Sequence, residues 1–125
     1  MLHVVADPLS LERSASGGIT GQLFLRGAAG AFPEDRWSDF PVVVLAWWLE
    51  GLRELAAGEK QFFRGFFMDG PFSFTAQAKG SGWAEVAWGK RNEEQLVENV
   101  EVRSLLESVV AAGRTVAAES RLREW

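Results

Sequence analysis

Three apolar-rich runs separated by two turn signals occupy the centre of the chain. Gln61 to Met68 predicts a strand, Asp69-Gly70-Pro71 a reversal, Phe72 to Lys79 a second strand, Gly80-Ser81-Gly82 another reversal, and Trp83 to Trp88 a third strand. In the middle run Phe72, Phe74, Ala76 and Ala78 alternate with Ser73, Thr75, Gln77 and Lys79, which gives one packed face and one wet face. The preceding run carries aromatics in both registers, Phe62 and Phe66 in one and Phe63 and Phe67 in the other, and leaves its inward face open. In the third run Val86 and Trp88 are the better core pair, with Trp83 and Glu85 on the wet side. An antiparallel meander with one apolar face needs a layer over that face.

The flanking sequence supplies that layer. Phe40, Val43, Val44, Trp47, Trp48, Leu52, Leu55 and Ala56 recur at three- and four-residue separations and predict a helix from about residue 39 to Ala57. Ser38 or Asp39 would cap it, with Pro41 in the first turn and Gly58 near the C-cap. Trp47 and Trp48 cannot point along one line of the core, so one is central and its neighbour peripheral. A second helix is predicted from about Arg103 through Leu105, Leu106, Val109, Val110, Val116 and Ala117. Leu2 to Ala6 and Ile19 to Arg26 read as further strands, residues 10–18 as a loop and residues 27–33 as a flexible connection. Phe24 falls on the polar side of its strand, as a residue under a loop or at a sheet edge would. Residues 93–100 fit either a short strand or an exposed lead into the last helix. The whole predicts one α+β domain over residues 1–125, with an antiparallel four- or five-stranded sheet and two long helices packed on one face.

Composition narrows the chemistry. The chain has 125 residues and no cysteine, so it forms no disulfide and offers no thiolate for catalysis or metal binding. Its start lacks a basic leader and an unbroken apolar core, and the longest apolar run, Pro41 to Leu49, is too short to span a bilayer; a cytoplasmic protein without membrane association is expected. The formal charge of −4 argues against general nucleic-acid binding, which relies on Lys and Arg at phosphates. Acidic residues concentrate in two segments, Glu34 to Glu59 and Glu93 to Glu107. If these share a face, they would steer a basic protein partner.

Catalytic candidates are few. His3 is the single histidine and lies in a predicted strand. Asp69 stands at the apex of the aromatic hairpin, but Asp-Gly is also a favoured turn pair. Glu34, Asp35 and Asp39 lack the ligand periodicity of a calcium loop, and the glycines of residues 27–30 match no phosphate-binding motif. No cofactor is expected.

The run Phe40-Pro41-Val42-Val43-Val44-Leu45-Ala46-Trp47-Trp48-Leu49, the hairpin Phe67-Met68-Asp69-Gly70-Pro71-Phe72 and the Leu- and Ala-rich last helix together resemble small bacterial domains similar to immunity proteins of polymorphic toxin systems. That resemblance implies a non-catalytic protein that neutralises a cognate toxin by covering it. In this reading Trp37, Trp48 and Trp83 are the aromatic anchors, and Glu34, Asp35, Glu50 and Glu54 contribute charged contacts to a basic toxin. Two other classes compete with it: a homo-oligomeric structural module, such as a homodimer using an aromatic face, and a small-molecule enzyme whose pocket joins His3 or Asp69 to other polar groups.

Overall fold

Pro41 opens the first helix where its missing N–H leaves no partner unsatisfied, and helix α1 runs Pro41–Ala56. The computed structural model describes residues 1–125. Before α1 come β1 (His3–Ala6), a 3-10 turn (Pro8–Ser10), β2 (Glu12–Arg13), β3 (Ile19–Gly27), β4 (Gly30–Phe32) and β5 (Ser38–Asp39); after it come β6 (Phe62–Phe66), β7 (Phe72–Gly80), β8 (Trp83–Lys90), β9 (Gln95–Glu101) and helix α2 (Val102–Leu122). The class is α+β, as the periodicities predict. Its strands divide between two antiparallel sheets, one of five strands and one of four.

The four-stranded sheet is the meander, in the order β6-β7-β8-β9. Phe74, Ala76, Ala84 and Val86 are fully buried on its inner face. The open question of β6 is settled by Gly65, which pairs with Phe74 and whose missing Cβ makes room for the Phe74 ring. Phe63 and Phe67 therefore turn inward with Gly65, while Phe62 and Phe66 face out. Residues 95–101 form a strand, paired with β8 through an irregularity beside Val86 and Ala87.

The N-terminal sheet is built around one strand. β3 pairs antiparallel with β1, β2, β4 and β5 along different parts of its length. Both of its registers are buried over Leu23, Phe24 and Leu25, because Arg26 covers the Phe24 ring at 5.5 Å while the other side meets the core. The stretch expected as a flexible connection is instead a β3–β4 hairpin, and it ends in Phe32, which stacks on Trp88 at 5.0 Å and meets Phe67 and Phe72 edge-on.

Both helices pack on each other and on both sheets, α1 against β3 and β6, α2 against β1 and β9. One continuous cluster of 22 buried residues joins all these elements, so the chain has a single core. Polar ties cross it over long sequence distances. Ser108 Oγ accepts the Val4 N–H at 2.6 Å, and Arg123 donates to the carbonyls of Leu11 and Pro8.

Candidate functional site

Helix geometry decides what each aromatic of α1 does. Val44, Trp48, Leu52 and Leu55 lie three or four residues apart and are buried. Trp48 is 0 % exposed, its indole N–H donates to the Phe66 carbonyl at 2.9 Å, and its ring meets the edges of Phe67 and Phe74 at 5.0 Å. It has no surface to offer a partner, which corrects its reading as an anchor. One residue earlier, Trp47 is 46 % exposed. It shares its flank with Val43 four residues before it, Glu50 three after and Glu54 seven after. Val43 and Glu50 are exposed, Glu54 is half-buried, and neither carboxylate has an ion-pair partner within the chain. The exposed flank of α1 thus presents an indole and a valine beside two free carboxylates. The spacing of Trp47 to Glu50 and Glu54 was the available signal; both tryptophans fit the apolar stripe, and periodicity alone did not separate them.

The other residues singled out from sequence disperse. Trp37 is half-buried, donates to Asp39 Oδ2 at 2.9 Å and meets Phe72 edge-on at 5.4 Å, so it braces the fold and is not a free anchor. Glu34 is exposed on the β4–β5 loop, and its neighbour Asp35 is paired with Arg26 at 2.6 Å. Trp83 is 47 % exposed at the start of β8 and lines a cleft of about 350 Å³ together with Leu55, Gln61, Ser81, Glu101 and Arg103. That cleft lies where the end of α1 meets the start of α2, so Trp83 and the Glu54 end of α1 belong to one end of the molecule, while Glu34 and Asp35 belong to the N-terminal sheet.

Comparison of the chain with protein-family models, with curated proteins and with solved structures found no match.

Several carboxylates that carry the negative charge serve the fold. Asp39 does not cap α1; Phe40 holds that position without a side-chain bond. Instead the Asp39 carboxylate, 2 % exposed, accepts from the backbone N–H groups of Phe40 (2.8 Å), Met68 (3.1 Å) and Asp69 (3.2 Å) and from the Trp37 indole. It clasps the start of α1 to the β6–β7 turn. Glu98 accepts from the N–H groups of Leu2 (3.1 Å) and Ala28 (3.3 Å), joining β9 to the N-terminal sheet.

Glu94 closes the outer face of the meander. Its side chain is 7 % exposed and takes hydrogen bonds from Ser73 Oγ (2.6 Å) and Arg64 Nε (2.9 Å). Burial acts to raise its pKa, but the Ser73 hydroxyl, its own backbone N–H and the Arg64 guanidinium outweigh that and hold the carboxyl below the usual glutamate value. Gly89 makes this possible, because a Cβ there would meet the Glu93 carbonyl and the Glu94 backbone as the connection folds back over the sheet. Ser73 is fully buried beneath it.

The two catalytic candidates do not join other chemistry. His3 is exposed on β1, with Nδ1 at 3.1 Å from the Met1 carbonyl, and Asp69 is exposed in the β6–β7 turn. Neither lines the Trp83 cleft or the larger groove between the helices. No three His, Asp or Glu side chains are grouped as metal ligands would be, and no helix is long and apolar enough to cross a membrane.

Proposed function

We propose that this chain is a cytoplasmic immunity-type protein that binds a basic bacterial toxin one to one and occludes a surface the toxin needs. The reading is supported chiefly by the α1 flank of Val43, Trp47, Glu50 and Glu54, where an open indole lies beside carboxylates that no residue of the chain neutralises. An exposed tryptophan suits the anchoring part of a protein interface, and unpaired acidic neighbours suit a partner of opposite charge. Trp83, exposed at the start of β8, lines the cleft beside the end of α1 and is a second candidate contact.

Co-expression with the product of a neighbouring gene tests this directly. The chain is expected to relieve that product's toxicity and to co-purify with it at equal stoichiometry. Trp47→Ala is expected to weaken the complex by about 2 kcal/mol or more, near thirtyfold, while Glu50→Lys with Glu54→Lys chiefly slows association and reduces its salt dependence. A folded chain that neither binds nor protects against a folded basic neighbour refutes the assignment.

A further inference from the structure

The opposite flank of α1 faces a second feature. A groove of about 580 Å³ runs between α1 and α2, open to solvent, with nine of its twelve lining residues hydrophobic. Val42 and Leu49 form one lip and Val110 and Ala117 the other. Its one charged lining residue is Arg114, which has no ion-pair partner in the chain.

Gly113 lines this groove without a side chain. A glycine inside a helix is destabilising relative to alanine unless something packs against it. Gly51 in α1 has such a reason, because a Cβ there would overlap the Phe63 ring. Around Gly113 a Cβ would meet no atom of the chain within 4 Å, although the residue lies in mid-helix and lines the groove. The space beside it is open to solvent or to a ligand.

We propose that this groove is a binding site for one free medium-chain alkyl carboxylate, its hydrocarbon along the apolar walls over Gly113 and its carboxylate on the Arg114 guanidinium. The volume lies in the range of small-molecule sites, about 300–1,000 Å³. Apolar walls with a single unpaired cation match a ligand that has an apolar body and one anionic head, and the guanidinium fork fits a carboxylate. Trp47 does not line the groove, so this site stands independently of the toxin-binding flank.

Dodecanoate titrated into the full chain, with displacement of an anilinonaphthalene sulfonate dye as signal and light scattering for mass, is the test. Saturable one-to-one uptake below the micelle-forming concentration is expected, with dodecyltrimethylammonium failing to compete. Arg114→Gln is expected to weaken uptake about tenfold, as loss of a charge-assisted hydrogen bond would. Gly113→Leu places a bulky side chain at the groove and is expected to abolish uptake without lowering the thermal midpoint; Gly113→Ala, a milder change, is expected to reduce uptake in a chain at least as stable. Trp47→Ala is expected to leave uptake unchanged. Uptake indifferent to both Gly113 substitutions, equal uptake of the cationic amphiphile, binding only to lipid vesicles, or self-association of the chain that buries the groove would each overturn the proposal.

Discussion

Replacing Trp48 by alanine removes an indole held by two phenylalanine edges and the Phe66 carbonyl, and is expected to cost about 3–5 kcal/mol of stability in denaturant titration. Trp47→Ala touches a side chain about half in solvent, and its stability change is expected to be about 1 kcal/mol or less. Sequence reading takes Trp48 as the anchor, although either indole extends the apolar stripe; the choice is made in space, where the Trp48 indole is buried and donates to the Phe66 carbonyl. Asp39 was harder to read. Its position before Pro41 matches a cap, yet three of its four donors, Met68, Asp69 and Trp37, lie outside the helix start. Asp39→Ala removes the acceptor shared by these part-buried donors and is expected to cost about 1–3 kcal/mol, measured as a fall in the thermal midpoint. Glu94 gives a pH signature. Its folded pKa lies below its unfolded value, so its contribution is complete above the unfolded value, near pH ~4.3, and is lost as pH falls through the folded one. The difference in stability between the native chain and Glu94→Gln is therefore expected to shrink on acidification through that window, and to be constant from about pH 6 upward.

At the scale of single elements, the two helices hold glycines with opposite consequences. Gly51→Ala pushes a methyl into the Phe63 ring and is expected to destabilise by about 1–3 kcal/mol, whereas Gly113→Ala meets nothing and is expected to stabilise by about 0.5–1 kcal/mol; paired denaturant melts separate the two. Sequence reading charges both positions the same helix penalty, because the difference resides in β6 and in empty space. The meander was legible because Phe72 to Lys79 alternates strictly and both turns carry glycine. Strand β9 was ambiguous for a physical reason: Glu98 spends its carboxylate on Leu2 and Ala28, and a strand with a charged residue making internal contacts loses its alternation. Strands β2, β4 and β5 are two or three residues long, too short for any periodicity, and exist because β3 offers each of them a partner.

For the molecule as a whole, the single core spanning both sheets predicts one cooperative transition, with calorimetric and van't Hoff enthalpies in agreement. The division into two sheets lay beyond sequence reading, since it depends on which residues pair over long range and not on which residues form strands. The formal charge of −4 also changes meaning in three dimensions. Asp39, Glu94 and Glu98 are committed to internal donors, so part of the formal charge is not open to a partner, whereas Glu50 and Glu54 remain free of such partners.

The tie between Val4 and Ser108 joins residues 104 positions apart, and Arg123 reaches the carbonyls of Leu11 and Pro8 from further still. A nascent chain emerging from a ribosome cannot close β1 against α2 until the last helix has been translated. Stable structure is then reached after synthesis of that helix, and the early strands, with Leu23 and Leu25 still uncovered, are the segment most in need of a chaperone in the interval.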